Sequence, residues 1–112
     1  MKPRCLIWDW NGTLLDDLQL CLGLLNELLE QNGSPNRYDL AGYREIFGFP
    51  VVDYYRRAGL DLSKRSFESL AADYVARYNP ESFACTLCPG AAGTLAALKS
   101  AGVRQVILSA SE

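Results

Sequence analysis

A short segment, Asp9-Trp10-Asn11-Gly12-Thr13, holds the residue types with the clearest potential for chemistry. Asp9 follows an apolar run, and a carboxylate at the carboxyl end of a buried strand lies where α/β folds place ligands. It could attack an electrophile covalently or help to hold a divalent cation. Gly12 lets the backbone turn sharply, so that N–H groups can face a bound anion. The same residues are typical of an ordinary Asx-turn at a strand end, and both interpretations remain open at this point.

The composition narrows the chemistry further, because none of the 112 residues is a histidine. This excludes a Ser-His or Cys-His pair, an imidazole proton shuttle and a His-ligated metal within the chain. Reactions here must use carboxylates, hydroxyls, amides, amines or thiols. With 11 basic and 13 acidic residues, the formal net charge is −2. This net charge does not indicate a basic surface that would bind a polyanion, so a nucleic acid is not an expected partner.

Apolar runs in the chain are short. The first residues, MKPRCLIWDWNGTLL, lack an apolar run long enough for a signal peptide, and no stretch approaches the ~20 apolar residues of a membrane span. We therefore expect a cytoplasmic protein without a membrane partner, whose cysteines are reduced. Cys85-Thr86-Leu87-Cys88 could be half a zinc site or a redox pair. Because neither Cys5 nor Cys21 belongs to a second CxxC, two reduced thiols are the expected state.

The elements that must position Asp9 follow from the hydrophobic pattern. Cys5-Leu6-Ile7-Trp8 predicts a strand buried on both faces, with Cys5 inside the sheet. Val103–Leu108 predicts a second buried strand, preceded by a helix that Pro89-Gly90 opens and Ala101-Gly102 ends. Residues 17–79 predict a run of about four helices and no strand. These helices are expected from an Asp16 or Asp17 N-cap to about residue 31, over 39–47, from Pro50 to Gly59, and from a Ser63 N-cap to Pro80.

The order strand, helical block, helix, strand indicates an α/β core with an inserted lid. Two strands cannot form an independent parallel sheet whose faces are covered by helices, so the core is expected to be incomplete in this chain. A helical block placed directly after the first strand is typical of a lid on a larger α/β core. The exposed edge of such a sheet could pair with a second copy or with another chain.

The residues at 9–17, DWNGTLLDD, resemble the first motif of the haloacid dehalogenase-like (HAD) hydrolases, Asp-x-Asp-Gly-Thr-Leu-x-Asp. Val106-Ile107-Leu108-Ser109 is similar to the second motif, an apolar strand that ends in Ser or Thr. The helical block resembles the small helical cap of that superfamily, and residues 88–95 resemble the return to its core. Within the superfamily, the pattern is most similar to phosphoglycolate phosphatase-like enzymes.

This resemblance implies an α/β fold with a Rossmann-like HAD core, incomplete in this chain, and an inserted four-helix cap. Residues 1–15 and 85–112 would form the partial core, and residues 16–84 would form the cap. The resemblance also implies a small phosphorylated substrate. Asp16 matches the acidic residue at the hinge into the cap, although an N-cap role explains it equally well.

The resemblance further implies roles for single residues. Asp9 matches the nucleophile, which attacks a phosphoryl group and becomes a transient aspartyl phosphate. Asp9 and the backbone carbonyl of Asn11 match ligands of Mg²⁺, the implied cofactor. Asn11 also occupies the position of the catalytic acid and base. The implied substrate- and phosphate-binding residues are Trp10, Gly12, Thr13 and Ser109.

Two departures from the family pattern leave two functions open. Family phosphatases usually carry Asp at position 11, and an amide cannot exchange the proton that this Asp supplies, a contribution of roughly 10²–10⁴-fold in rate. The third and fourth motifs are also missing, since Lys99 and Arg104 precede Ser109 and do not match the third. We therefore expect a Mg²⁺-dependent phosphoric monoester hydrolase that is inactive as this chain alone. The alternative is a non-catalytic HAD-like binding protein.

Overall fold

The computed structural model describes residues 5–109, and their order of elements is that of an α/β protein. The elements are β1 (Cys5–Trp8), α1 (Leu18–Gln31), α2 (Leu40–Ile46), α3 (Val51–Ala58), α4 (Phe67–Ser82), α5 (Ala91–Ser100) and β2 (Arg104–Ile107). They form two compact units. The first contains the described residues up to Leu18 and those from Ala84 onward, and the second is Gln19–Phe83. The predicted α/β class and the helical block between two strands are confirmed.

The first unit is built on a parallel pair of strands. Cys5 pairs with Arg104 and Trp8 with Ile107, and the Leu108 N–H extends the pairing by donating to the Trp8 carbonyl at 2.9 Å. Gln105 links three elements, because its Oε1 accepts from the Trp8 indole at 2.9 Å and its Nε2 donates to the Leu95 carbonyl of α5 at 3.1 Å. The parallel register places the carboxyl ends of both strands at one edge of the sheet.

The prediction that both strands are buried on both faces is wrong for the residues described. Cys5 is exposed rather than inside the sheet, and the exposed fractions of Ile7 and Ile107 are 64% and 55%. Apolar strands of this kind are typical of parallel sheets covered on both faces. In residues 5–109 the sheet contains β1 and β2 only, so too little structure surrounds the strands to cover them. The second strand is also shorter than predicted.

The second unit is a helical unit whose core is formed largely by leucine and tyrosine. Five leucines of α1 are buried in this core, namely Leu22, Leu24, Leu25, Leu28 and Leu29. Helices α2, α3 and α4 and the loops beside them bury the remaining side chains, which are Tyr43, Tyr54, Tyr55, Ala58, Leu60 and Leu70. Within residues 5–109, no helix has the length and apolar character that crossing a membrane requires.

Two predicted helix boundaries are wrong. The N-cap of α4 is Ser66, whose hydroxyl accepts from the Ser69 N–H at 3.2 Å, whereas Ser63 donates its hydroxyl to Asp61 Oδ1 at 2.6 Å. That hydrogen bond lowers the pKa of the Asp61 carboxyl below its ordinary value. Pro80 lies inside α4, which continues to Ser82. The fixed φ of proline suits a helix, and near a helix end only one backbone hydrogen bond is lost.

Candidate functional site

The loop after β1 is a tight turn in which one carbonyl group accepts three backbone hydrogen bonds. The Trp10 carbonyl accepts from the N–H groups of Thr13, Leu14 and Leu15 at 3.2, 3.0 and 3.0 Å. Gly12 adopts a φ of +73°, a conformation that glycine enters without steric cost, and its N–H donates to the Leu15 carbonyl at 2.9 Å. The sequence predicts this turn correctly from Asn11-Gly12. The loop thereby projects Asp9 beyond the end of the strand.

The carboxylate of Asp9 is exposed and is oriented by its own loop. Its Oδ1 accepts from the Trp10 N–H at 2.8 Å, and its Oδ2 accepts from the Thr13 hydroxyl at 3.4 Å. The N–H groups of Trp10 and Gly12, two predicted phosphate-binding residues, therefore donate to partners within the loop. An exposed, oriented carboxylate at a strand end can act as a nucleophile or as a ligand for a hard cation.

Ser109 follows β2 as Asp9 follows β1, and a hydrogen bond joins the two strand ends. The Ser109 hydroxyl donates to Asn11 Oδ1 at 3.3 Å, although 98 positions separate the two residues in the sequence. The amide nitrogen of Asn11 donates to Asp17 Oδ2 at 2.9 Å. Asp17 is buried, with 2% of its surface exposed. The structure thus brings together Asp9, Asn11, Thr13 and Ser109 around the ends of both strands.

Sequence reasoning missed the contact between Asp17 and Asn11, because it treated Asp17 only as a helix N-cap. The one signal in the sequence is a second acidic residue next to Asp16. Asp16 itself is exposed, and its N–H donates to the Thr86 carbonyl at 2.8 Å.

The Cys85–Cys88 segment lies beside the loop and pairs with it in an antiparallel bridge between Leu15 and Leu87. The Cys88 N–H donates to the Leu14 carbonyl at 2.8 Å, so main-chain groups hold the two segments together. In the part of the chain that the structure describes, no three His, Cys, Asp or Glu side chains cluster closely enough to hold a metal ion.

A shallow hollow of about 180 Å³ adjoins the loop. Its walls come from the end of β1, the loop, the Cys88 segment and the start of α5, through Trp8, Thr13, Leu14, Cys88, Pro89, Gly90, Ala91 and Thr94. Asp9 is not a lining residue. Thr13 connects the two features, because it lines the hollow and its hydroxyl contacts the Asp9 carboxylate.

A model of the haloacid dehalogenase-like hydrolases matches residues 6–112. The chain belongs to the haloacid dehalogenase-like (HAD) hydrolase family. The family resemblance of the 9–17 motif and the HAD-type, Rossmann-like fold class are thereby confirmed. A comparison with curated proteins finds no match for this HAD chain.

Several solved structures share its fold. A candidate phosphoglycolate phosphatase from Lactobacillus plantarum is 20% identical with a TM-score of 0.79, over 100% of this chain and 52% of that one. Protein Tyrosine Kinase A of Mycobacterium tuberculosis is 29% identical with a TM-score of 0.75, over 94% and 47%. CbbY from Rhodobacter sphaeroides, solved with phosphate, is 21% identical with a TM-score of 0.56, over 96% and 51%. The HAD chain thus spans about half the length of the structures it matches.

Proposed function

We propose that this HAD chain contributes the nucleophile and the first phosphate-binding groups of a Mg²⁺-dependent phosphatase for a small phosphorylated metabolite. The observation that supports this proposal is the exposed Asp9 carboxylate after β1, at the sheet edge where the Ser109 hydroxyl follows β2 and contacts Asn11 of the same loop. A phosphoryl group placed there would meet a nucleophile and a hydroxyl donor from adjacent strands. This is the arrangement that attack on phosphorus requires.

In the proposed reaction, a carboxylate oxygen of Asp9 attacks phosphorus while the bond from phosphorus to the ester oxygen breaks. The product is an aspartyl phosphate, and the released alkoxide takes a proton. The amide of Asn11 is not acidic enough to release a proton, so the proton comes from water. A second water then attacks the aspartyl phosphate, which releases inorganic phosphate and restores the carboxylate. The Ser109 hydroxyl would donate to a phosphoryl oxygen. The Trp10 N–H, which now donates to Asp9 Oδ1, would donate to a phosphoryl oxygen instead.

The residues present suit Mg²⁺ in chemical type. Mg²⁺ is a hard cation that keeps several waters and binds through one or two carboxylates together with substrate phosphate. Asp9 offers an exposed carboxylate, and the Asn11 backbone carbonyl would be the second oxygen. The ion would supply charge neutralisation for the phosphoryl oxygens. Because no cluster of three metal-binding side chains occurs in residues 5–109, we expect this chain by itself to bind Mg²⁺ weakly.

Two structures with a similar fold support the substrate class. CbbY was solved with phosphate, and a variant of CbbY was solved with xylulose-(1,5)bisphosphate. The variant is 24% identical to this chain with a TM-score of 0.61. A small phosphorylated sugar or acid is therefore the class of substrate that we propose. A cytoplasmic location, where such metabolites and reduced thiols occur together, belongs to the same proposal.

One observation favours a second function, a HAD-like protein that binds a ligand without catalysis. The side chain of Asn11 is held by Asp17 and Ser109, and an amide in this position can orient a phosphate but cannot transfer its protons. In this alternative, Asp9 and Ser109 would hold a phosphorylated ligand and its cation without turnover.

The experiment that separates the two functions uses acetyl phosphate and Mg²⁺. The chain, an Asp9→Asn variant and a Glu81→Gln control on exposed α4 are incubated, quenched in acid and weighed by mass spectrometry, with p-nitrophenyl phosphate hydrolysis measured in parallel. A covalent phosphoryl group that Asp9→Asn removes and Glu81→Gln keeps would support the catalytic proposal. Phosphate binding without labelling or hydrolysis would support the binding function. Hydrolysis that persists in Asp9→Asn would contradict the assignment of Asp9.

The exposed sheet of the first unit suggests a partner as well. Ile7, Ile107 and Leu108 are 64%, 55% and 71% exposed, and exposed apolar strands with unpaired edges are templates for pairing. We propose that the outer strand edge pairs with a second copy of the chain. Light scattering should then give a dimer mass, and substitution of Ile7 by Lys should give a monomer. A monomer for the unchanged chain over the accessible concentration range would reject this partner.

A further inference from the structure

Asn11 lies between two side chains that engage both ends of its amide. Nδ2 donates to Asp17 Oδ2 at 2.9 Å, and Oδ1 accepts from the Ser109 hydroxyl at 3.3 Å. Asp17 is 2% exposed, whereas Asn11 and Ser109 are half-buried. The three residues form a hydrogen-bonded series, which we call the Asp17 relay, from a buried carboxylate to the hydroxyl at the end of β2.

The burial of Asp17 fixes what position 11 must provide. An ionised carboxylate only accepts hydrogen bonds, and a buried one is costly unless donors surround it. Ser109 donates to position 11 from the other side, so that position must donate at one atom and accept at another. A side-chain amide does both. Asn11 therefore matches its two neighbours as the structure has them.

A carboxylate at position 11 would not match the same neighbours. Two carboxylates at hydrogen-bonding distance repel each other strongly, and neither has a proton to donate to the other. The other two carboxylates of this segment, Asp9 and Asp16, are exposed and accessible to solvent. Burial thus distinguishes Asp17 from both of them as the carboxylate that constrains position 11.

We infer that Asp17 is a positioning residue that requires a hydrogen-bond donor at position 11 and, through it, orients the Ser109 hydroxyl. The use of this relay in a phosphoryl site rests on the proposed function, but the relay itself does not. It follows that Asn11→Asp alone does not create a working acid and base, because the new carboxyl is bound to Asp17. The exchange of both residues, Asn11→Asp with Asp17→Asn, re-forms the hydrogen bond with its direction reversed.

The test compares thermal unfolding of the full chain in four forms at pH 7. These are the unchanged chain, Asn11→Asp, Asn11→Asp with Asp17→Asn, and Asn11→Asp with Asp16→Asn as the matched control. We expect Asn11→Asp to lower the Tm by about 5 °C or more, because two carboxylates then face each other without a donor between them. The Asp17 exchange should recover at least half of that loss, and the Asp16 control should recover none.

The inference is overturned if Asn11→Asp has the same Tm with and without Asp17→Asn. It is also overturned if Asp16→Asn recovers the Tm as much as Asp17→Asn does. The readout needs neither metal nor phosphate. Failure of the proposed function would appear separately. Asp9 would then acquire no phosphoryl group from acetyl phosphate, while Asp17→Asn would still recover the Tm lost in Asn11→Asp.

Discussion

The indole N–H of Trp8 donates to Gln105 Oε1 at 2.9 Å across the parallel pair of strands. The other end of the same amide donates to the Leu95 carbonyl of α5 at 3.1 Å. Trp8 is the last residue of β1 and directly precedes Asp9. The Gln105 side chain on β2 therefore connects β1, the strand that ends at the candidate nucleophile, to α5. An indole N–H that is half-buried needs an acceptor, and Gln105 supplies it.

Replacing Gln105 tests this connection. Gln105→Leu should lower the free energy of unfolding by about 1–3 kcal/mol, because the Trp8 N–H loses its acceptor and the Leu95 carbonyl loses one of its donors. Gln105→Glu keeps the acceptor for Trp8 and loses only the donor to Leu95, so its loss should be smaller. Urea unfolding followed by tryptophan fluorescence measures both. Equal stability of Gln105→Leu and the unchanged chain would show that the link contributes nothing.

Removal of the hydroxyl group should affect stability differently at two tyrosines of the second unit. The buried Tyr54 hydroxyl has no hydrogen-bond partner among the described residues, whereas the Tyr38 hydroxyl donates to the Ala58 carbonyl at 2.9 Å. Tyr54→Phe should leave stability unchanged or raise it, because a buried hydroxyl without a partner is unfavourable. Tyr38→Phe should cost about 1 kcal/mol. Chemical denaturation of both variants checks this, and a larger loss for Tyr54→Phe than for Tyr38→Phe would contradict it.

Stability should fall in alkaline solution because the helical unit buries tyrosines in their neutral form. Burial raises the pKa of Tyr55 from 10.0 to about 12, and it raises the pKa values of Tyr54 and Tyr74 further. The folded state therefore holds these protons more tightly than the unfolded state. The stabilising contribution of Tyr55 is complete below about pH 10 and is lost as the pH rises through about 12.

Circular dichroism of urea unfolding between pH 9 and pH 12 measures this loss. Tyr55→Phe is the matched variant, because phenylalanine keeps the ring contacts with Tyr54 and Phe67 at centroid distances of 5.3 and 5.4 Å. Its stability should depend less on pH above 10 than that of the unchanged chain. Identical alkaline profiles would contradict a contribution from Tyr55.

Gly12 and Gly23 form a matched pair for testing the turn after β1. Neither glycine has an atom within 4 Å of the position that a Cβ would take, so steric collision does not enter the comparison. Gly12 has a φ of +73°, and Gly12→Ala should cost about 1–2 kcal/mol from strain alone. Gly23 lies in α1, where Gly23→Ala should stabilise by about 0.5–1 kcal/mol. Thermal unfolding measures whether each variant is more or less stable than the unchanged chain. A Gly12→Ala variant that is more stable would show that the turn does not need glycine.

Local features of the fold were predictable from the sequence because their signals are local. The Asn11-Gly12 turn, the helical block and the order of the elements follow from patterns over a few residues. Burial of the strands was predicted wrongly, since it depends on neighbours in space, and among the described residues the sheet has only β1 and β2.

The candidate site was partly predictable. Asp9 and Ser109 follow two parallel strands that end at the same edge of the sheet, as the predicted fold requires. The contact between Asn11 and Asp17 was not predictable, because it depends on how the turn returns toward the start of α1. A run of two acidic residues gives no indication that only the second is buried.

The loop that carries the candidate site is attached to the Cys85–Cys88 segment through main-chain atoms, by bonds from Asp16 to Thr86 and from Cys88 to Leu14. Backbone attachments of this kind do not depend on which side chains the segment carries. Residues 85–88 could therefore diverge widely among related proteins, cysteines included, while the geometry at the end of β1 is inherited unchanged.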